Sequence, residues 1–134
     1  MTIHLLPELQ RSINERKFAS WTVIQEKTIP LIQEGKDVIG QSHTGSGKTA
    51  AFGLPLLEKI VPGQGLQALV LVPTRELCEQ VTMELQDFAK YTPLRIIAVY
   101  GGVGLEPQKK NLVHADVVVA TPGRTLDHMH RKNM

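Results

Sequence analysis

The sequence predicts an α/β protein with an open parallel sheet and flanking helices, and three observations support this prediction. Short apolar runs alternate with helix-forming segments from Val38 onward. The segment Gly-Ser-Gly-Lys-Thr stands between the first apolar run and the next helix-forming run. Later runs, 68–72 and 116–120, are apolar at every position after the initial Asp116 of the second run, as is typical of parallel strands buried on both faces. Alternation of this kind also predicts right-handed crossovers between the strands.

Length and composition limit how the chain can be organised. Its 134 residues suit one domain, and 42% apolar with 21% charged residues is ordinary for a soluble globular chain. The formal net charge of +2 is too small to indicate nucleic-acid binding by itself. No apolar run approaches membrane-spanning length, and the N-terminus has no signal-peptide pattern. The single cysteine, Cys78, is expected to be a small core residue on a helix, and these features favour a cytoplasmic protein.

Two helices are predicted before the first apolar run. Apolar residues at helical spacing indicate a first helix over about residues 6–16. Thr22 is a suitable N-cap for a second helix, which Pro30 should kink or restart and Gly35 should end. Residues 37–40 then predict the strand that leads into the glycine-rich segment.

The rest of the chain repeats the same unit of strand and helix. The predicted elements are a helix from near Lys48 to about Ile60 bent at Pro55, a strand at 68–72, a helix at 74–91, a strand at 95–100, a short helix opened by Glu106-Pro107, a strand at 116–120, and a last helix from Thr121-Pro122 to the chain end.

The glycine-rich segment from Ser42 to Thr49 has the residues that a phosphate-binding loop needs. Gly45 and Gly47 permit positive φ angles, which turn the backbone tightly and bring consecutive N–H groups close to a guest. The N-terminus of the following helix adds further N–H groups. Lys48 can reach the outer phosphates of a nucleotide, and the Thr49 hydroxyl is placed to ligate Mg²⁺. A simple Gly/Ser surface turn would leave the Gly-Lys-Thr sequence unexplained, although Ser42 replaces the first glycine of the strict pattern.

The other predicted strands also end in segments that suit anions. Ligands of open parallel sheets bind outside the carboxyl ends of the strands, so these segments are expected at one edge. Each segment alone is equally explained as helix capping or a turn. Together, their amides, hydroxyls and arginines suit a chain of phosphates that is bound through its backbone. The segments are Pro73-Thr74-Arg75-Glu76-Leu77, Gly101-Gly102 and Thr121-Pro122-Gly123-Arg124.

In this order and spacing, the segments resemble the N-terminal part of the first RecA-like domain of a DEAD-box RNA helicase. Phe18 with Thr22-Val23-Ile24-Gln25 resembles the Q motif of that family, and Ser42 to Thr49 resembles motif I. The later segments resemble motif Ia, the GG motif and motif Ib. The resemblance implies a RecA-like P-loop NTPase fold, here a partial domain over 1–134, with a Q-motif helical region at 1–36 and a P-loop α/β core at 37–134.

The resemblance also implies an ATP-dependent RNA helicase, an RNA-dependent ATPase, as the parent protein. Gln25 would select adenine, since an amide can accept from the amino group and donate to N7. On the residues alone, an exposed polar residue on a helix is the preferred interpretation of Gln25. Phe18 would pack near the base, or anchor the first two helices, or do both. The implied catalytic residues are Lys48 and Thr49, with Thr49 on Mg²⁺. The implied ATP-binding residues are Phe18, Gln25, Ser42, His43, Thr44, Gly45, Ser46, Gly47, Lys48 and Thr49.

Motifs Ia, GG and Ib would hold RNA through its sugar–phosphate backbone, without sequence preference. On the residues alone, Arg75 and Arg124 could equally be solvated surface residues. The implied RNA-binding residues are Pro73, Thr74, Arg75, Glu76, Gly101, Gly102, Thr121, Pro122, Gly123 and Arg124.

The family also has an acidic motif that these residues do not contain. Hydrolysis needs an acidic side chain that holds Mg²⁺ and positions the attacking water. In the family this is the Asp-Glu-Ala-Asp of motif II, which follows motif Ib and does not occur in the 134 residues. Asp116 begins its predicted strand, and Glu76 and Asp127 lie in or near predicted helices, so none is a suitable substitute. We therefore expect these residues to be part of a helicase. By themselves they should not hydrolyse ATP, and a second RecA-like domain would complete the site.

Two other functions remain open. The chain could be a complete, non-catalytic module that binds a nucleotide or RNA. A P-loop NTPase of another family is less favoured, because it leaves Gln25 and the motif Ia and Ib segments unexplained. The histidines indicate no ligand set: His43 is expected to face solvent, and His128 and His130 are expected on different faces of a helix.

Overall fold

The computed structural model of the chain describes residues 3–16, 20–43, 45 and 47–134. Phe18, Thr44 and Ser46, which the sequence assigns to the ATP site, lie outside the described residues. The elements are α1 (Pro7–Glu15), α2 (Val23–Gln33), α3 (Lys48–Glu58), β1 (Ala68–Leu71), α4 (Arg75–Phe88), β2 (Ile96–Val99), α5 (Leu105–Leu112), β3 (Val117–Ala120) and α6 (Pro122–His130).

The chain divides into two compact units, and each is described by itself. The helical unit consists of Met1–Lys59 and Asp87–Thr92. The sheet unit consists of Ile60–Gln86 and Pro93–Met134. The predicted phosphate loop and Gln25 therefore belong to the helical unit, and the three segments predicted to bind RNA belong to the sheet unit.

The sheet unit contains a parallel three-stranded sheet in the order β1-β3-β2. The central strand β3 is completely buried, which confirms the prediction for the run 116–120. The prediction of burial on both faces is wrong for β1, where Leu69 is 44% and Leu71 55% exposed. Leu69 and Leu71 lie two residues apart and so share one face of β1, and the described residues do not cover this face.

The predicted strand at 37–40 is also absent from the described structure, where these residues have irregular backbone. A strand exists only where a neighbour completes its hydrogen-bond ladder. Within the described residues, the three strands pair only with one another, so 37–40 has no such neighbour. Ile39 is 100% exposed as a result. The apolar run therefore has the composition of a strand but not the pairing.

The helical unit is built around the packing of α2 on α3. The predicted N-cap is confirmed, because Thr22 and Gln25 form a capping box at the start of α2. Pro30 does not restart this helix, which continues to Gln33, and α3 likewise contains Pro55 and ends at Glu58. Proline removes one backbone hydrogen bond, and tertiary packing keeps both helices intact. Fully buried Ile29 on α2 and Leu54 on α3 provide part of that packing.

Polar contacts join the segment Asp87–Thr92 to the end of α1 within the helical unit. Arg16 pairs with Asp87 at 2.8 Å, and Lys90 pairs with Glu15 at 2.6 Å. The Tyr91 hydroxyl also donates to Glu15. Hydrogen bonds from Lys90 and Tyr91 hold the pKa of Glu15 below its ordinary value.

Cys78 has the structural role that the sequence predicts. It is fully buried on α4, and its thiol lies 3.1 Å from the carbonyl oxygen of Val119 on β3. Burial raises the pKa of this thiol, which keeps it protonated and unreactive. In the part of the chain that the structure describes, no helix has the length and apolar character needed to cross a membrane.

Candidate nucleotide and RNA site

The phosphate loop enters α3 with the backbone geometry that its glycines predict. Gly45 has a φ of 84° and Gly47 a φ of 87°, which confirms the expected positive angles. Gly47 is the N-cap of α3, no side chain of the described residues caps this end, and the first turn has no acidic residue. The first N–H groups of α3 therefore have no capping side chain among the described residues, and the positive end of the helix dipole favours an anion there.

Lys48 and Thr49 are the first two residues of α3. Lys48 is exposed and Thr49 is half-buried. In the same loop Ser42 is half-buried, and His43 is exposed, as expected for a solvent-facing residue. This places a cation and a hydroxyl at the end of the helix that attracts phosphates.

The hydroxyl of Thr49 is of a ligand type that fits Mg²⁺, which takes oxygen ligands from protein, phosphate and water. Within the described ranges, no group of three or more His, Cys, Asp or Glu could hold a metal ion. Within this loop, Thr49 could supply one protein oxygen to such an ion.

The Gln25 side chain connects the start of α2 to the phosphate loop. Its Nε2 donates to the carbonyl oxygen of Gly47 at 3.2 Å, and its Oε1 accepts from the Thr22 N–H at 2.9 Å. Gln25 is only 3% exposed, so the alternative of an exposed polar residue is wrong. Both ends of the amide already have partners, and contact with adenine would exchange at least one of them for the base.

Gly47 is required for a second reason that the sequence did not indicate. A Cβ atom at this position would lie 2.3 Å from Nε2 of Gln25 and 3.3 Å from Oγ1 of Thr22. Gly45 has the same φ range, but a Cβ atom there would meet nothing within 4 Å. A side chain at position 47, but not at position 45, would therefore meet the Gln25 amide and force it to move.

A cavity of about 290 Å³ adjoins the loop within the helical unit. Its volume is close to the lower limit of ligand pockets, about 300 Å³. The lining is mostly apolar, and Lys48 supplies a positive charge. The lining residues are Ile24, Thr28, Ile32, Val38, Gly40, Lys48, Ala51 and Phe52.

In the sheet unit, the three predicted segments lie at one edge of the sheet, as the sequence indicated. The strands end level with one another, with Leu71 and Val99 both in register with Ala120. The Arg75 guanidinium lies 4.8 Å from the ring centroid of Tyr100, which precedes Gly101-Gly102. Arg124, in the segment that follows β3, donates to the Val103 carbonyl oxygen at 3.0 Å. The segments that follow β1 and β3 therefore both contact residues that flank Gly101-Gly102.

Capping explains one of these segments but not another. Oγ1 of Thr74 accepts from the N–H of Leu77 at 3.2 Å, so Thr74 is a capping residue of α4. Thr121 is the N-cap of α6, but its side chain makes no capping hydrogen bond to the described residues. The exposed residues of the three segments, which form the strand-end surface, are Pro73, Thr74, Arg75, Glu76, Gly101, Gly102, Pro122 and Gly123.

The two arginines of the strand-end segments have different environments. The Arg75 side chain is 49% exposed and lies 3.6 Å from Glu79. The Arg124 side chain is only 12% exposed and lies 3.7 Å from Asp127. Nη1 of Arg124 donates to the Val103 carbonyl and, at 3.1 Å, to Oε1 of Gln108. Arg75 is therefore accessible to a ligand, whereas Arg124 is largely engaged within the protein.

The sequence did not identify two residues that contact this region, Gln108 and His128. Both are buried, at 7% and 0% exposure, and they lie 3.1 Å apart. The only relevant signal in the sequence was that His128 and His130 should lie on different faces of a helix, and this is confirmed because His130 is exposed. Nothing in the sequence indicated that the buried face contacts Gln108.

A loop with two positive-φ glycines, entering a helix that begins Lys-Thr and followed by parallel strand–helix units, is characteristic of P-loop nucleotide-binding α/β proteins. Within that class, the chain belongs to the DEAD/DEAH box helicase family, whose model matches residues 22–134.

Curated relatives agree with this family. The chain is 48% identical over 129 residues to the ATP-dependent RNA helicase CshA of Listeria monocytogenes. It is 47% identical over 129 residues to the DEAD-box ATP-dependent RNA helicase CshA of Geobacillus kaustophilus. These alignments cover 95% of this chain but only 25% and 28% of the relatives. The chain thus spans about a quarter of the length of the curated relatives that it matches.

Solved structures confirm the predicted fold class. A DEAD box protein from Methanococcus jannaschii matches with a TM-score of 0.94 and 40% identity, over 98% of this chain and 37% of the other. A hypothetical ATP-dependent RNA helicase from Sulfolobus tokodaii matches with a TM-score of 0.87 and 41% identity, over 95% of this chain and 37% of the other. The chain therefore has the RecA-like α/β fold of DEAD-box proteins, of which it covers the N-terminal part.

Proposed function

We propose that this chain is part of an ATP-dependent RNA helicase, in which it binds ATP with Mg²⁺ and the sugar–phosphate backbone of RNA. The observation that carries the proposal is the N-terminus of α3, which no described side chain caps, which begins Lys48-Thr49 and which is fixed to α2 through Gln25. The relatives named ATP-dependent RNA helicases support the same activity for the parent protein. Because this chain spans only part of them, the complete reaction would also need the remaining parts of such a protein.

The helical unit would bind the nucleotide. The N–H groups at the start of α3 would hold phosphate oxygens, and Lys48 would neutralise the charge on the outer phosphates. Thr49 would supply one oxygen ligand to Mg²⁺, which neutralises charge on the phosphates when it is bound. Gln25, once released from Gly47 or Thr22, would read the amino group and N7 of adenine.

The strand-end surface of the sheet unit would bind RNA. Exposed glycines leave backbone N–H groups accessible, and Arg75 offers a half-exposed guanidinium beside them. Contacts of this kind hold phosphates and sugars and carry no base information, so binding should not depend on RNA sequence. In the parent protein, a second RecA-like domain would complete the ATP site.

Titration with ADP and with ATP in the presence of Mg²⁺ tests the nucleotide site. Wild type should bind both nucleotides, and Lys48→Ala should abolish measurable binding because the phosphate charge is no longer neutralised. Lys59→Ala is a matched control, since Lys59 is exposed just beyond the other end of α3. Equal affinity of wild type and Lys48→Ala would remove Lys48 from the site.

A second function, binding without turnover, is favoured for the 134 residues taken alone. They contain no Asp-Glu-Ala-Asp sequence, and the described residues include no acidic cluster for a metal ion. We therefore expect the purified chain to release no phosphate from ATP above background, with or without oligouridine. Clear RNA-dependent phosphate release by the pure chain, absent in Lys48→Ala, would contradict this and favour a complete enzyme.

A further inference from the structure

The sheet unit contains a buried network of hydrogen-bonded side chains that joins α5, α6 and the segment after β2. Nε2 of Gln108 donates to the Tyr100 carbonyl oxygen at 2.8 Å. Oε1 of Gln108 lies 3.1 Å from Nη1 of Arg124 and 3.1 Å from Nε2 of His128. On its other side, Nδ1 of His128 lies 3.1 Å from Nδ2 of Asn133. All polar atoms of the two buried side chains therefore have partners.

These contacts fix the direction of each hydrogen bond. Because Nε2 of Gln108 donates to a carbonyl, the atom that faces His128 is the amide oxygen, which can only accept. Nε2 of His128 must therefore carry the proton, and the neutral ring then accepts at Nδ1 from the amide of Asn133. Burial, and secondarily the charge of Arg124, lowers the pKa of His128, which agrees with a neutral ring.

The same network of hydrogen bonds holds both ends of the loop that contains Gly101-Gly102. Gln108 binds the carbonyl of Tyr100 just before the two glycines, and Arg124 binds the carbonyl of Val103 just after them. Gly102 has a φ of 84°, and Gly101 has open space around the position of a Cβ atom. The glycines are thus exposed while the residues on either side are anchored.

We infer that Gln108 and His128 are positioning residues for RNA binding: they orient Arg124 and fix the Gly101-Gly102 loop, so that its N–H groups are preorganised for the RNA backbone. Arg124 then acts mainly by holding the loop, since its side chain is only 12% exposed. A loop that is ordered before binding loses less conformational entropy when it binds. This inference rests on the proposed RNA-binding role of the strand-end surface.

Two substitutions of His128 separate its hydrogen bond from its volume. His128→Gln places an amide donor near the position of Nε2, whereas His128→Leu fills similar space without a donor. The assay is fluorescence anisotropy of labelled oligouridine with the full chain. We expect His128→Leu to weaken binding about five- to ten-fold and His128→Gln to stay within about two-fold of wild type. His130→Leu, an exposed site on the same helix, should change nothing.

Amide hydrogen exchange and the ring tautomer add readouts that simple loss of packing would not reproduce. In His128→Leu, exchange should rise at residues 101–103 while β3 keeps wild-type protection. In wild type, the ¹⁵N shifts of His128 should show a neutral ring protonated at Nε2, and this measurement does not depend on any variant folding. A ring protonated at Nδ1, or at both nitrogens, at pH 7 would overturn the inference.

The outcomes also separate this inference from the proposed function. If wild type does not bind oligouridine, both fail. If wild type binds and His128→Leu and His128→Gln bind equally well, the positioning role alone is overturned. Stronger binding by His128→Gln than by His128→Leu, with increased exchange confined to the loop, supports it.

Discussion

Nε2 of Gln25 donates to the carbonyl oxygen of Gly47 at 3.2 Å, so the start of α2 is bound to the N-cap residue of α3. The same amide closes the capping box of α2 through the Thr22 N–H. The proposed base recognition by Gln25 would therefore be physically coupled to the shape of the phosphate loop. A base that takes either partner from Gln25 changes a contact that holds the loop or the helix.

The first prediction concerns base selection by Gln25. Gln25→Ala should reduce the preference for ATP over GTP. Among the described residues of α2, Gln25 has the only side-chain amide that contacts the loop, and the substitution removes this candidate reader of adenine. Gln25→Glu keeps an acceptor for the Thr22 N–H but has no donor for the Gly47 carbonyl, so it should weaken both nucleotides. Competition titrations of ATP and GTP measure the ratio. An unchanged ratio in Gln25→Ala would contradict the assignment of Gln25 to the Q motif.

The second prediction compares the two glycines of the loop. Gly47→Ala combines a positive φ of 87° with a Cβ atom 2.3 Å from Gln25, whereas Gly45→Ala meets only the strain of its φ of 84°. That strain alone costs on the order of 1 kcal/mol. We expect Gly47→Ala to weaken ADP binding at least about ten-fold and Gly45→Ala clearly less. Calorimetric titration of both variants checks this, and equal losses would show that contact with Gln25 is unimportant.

The sequence predicted most of the fold because its signals are local. Thr22 has the chemistry of an N-cap, and the glycines of the phosphate loop have the positive φ angles that only glycine adopts readily. β3 is apolar throughout and is fully buried. In each case the residue or its immediate neighbours determine the conformation.

The wrong predictions concern features that depend on distant neighbours. Residues 37–40 have strand composition, but a ladder needs a partner that the described residues do not provide. Leu69 and Leu71 are apolar but lie on an open face. Their burial depends on what covers the strand, which the run itself does not indicate. The contact between Gln108 and His128 is of the same kind, because it joins side chains 20 residues apart. Local patterns carry no information on such contacts.

The third prediction concerns the exposed arginine of the strand-end surface. Arg75→Ala should weaken oligonucleotide binding about equally for different RNA sequences, and should reduce the slope of log affinity against log salt by about one. The expected cause is loss of one phosphate contact. Arg131→Ala, also exposed but beyond the last residue of α6, is the control. Anisotropy titrations at several salt concentrations measure the slope, and a sequence-dependent loss would argue against backbone recognition.

The fourth prediction concerns stability at the end of the sheet where the strands begin. Asp116 is 2% exposed and accepts from the Gly63 N–H at 3.0 Å and from the Arg95 N–H at 2.8 Å. Asp116→Asn leaves one of these donors without an acceptor and should lower the free energy of unfolding by about 1–3 kcal/mol. Asp127→Asn, on an exposed part of α6, should change it by less than about 0.5 kcal/mol. Urea denaturation followed by circular dichroism distinguishes the two, and equal small effects would mean that the Asp116 contacts contribute little.

The last prediction concerns the dependence of stability on pH. The pKa of His128 is lowered in the folded chain, first by burial and then by the charges of Arg124 and Arg131, while Asp127 opposes the shift. As the pH falls through the ordinary histidine pKa of about 6.5, the unfolded chain takes up a proton that the folded chain does not. The free energy of unfolding should therefore decrease from pH 7.5 toward 5.5, and it should level off once the folded histidine also becomes protonated.

His128→Gln should remove this part of the pH dependence, because glutamine does not titrate. His130→Gln should keep it, since His130 is exposed on the same helix. The lowered pKa of Glu15 affects stability only at more acidic pH, below its ordinary value of 4.5, so it does not interfere in this window. Urea midpoints of the three proteins at pH 7.5 and 5.5 measure the difference. If His128→Gln lost as much stability on acidification as wild type, the buried ring would not be the group that titrates, and the neutral Nε2-protonated form would lose its thermodynamic support.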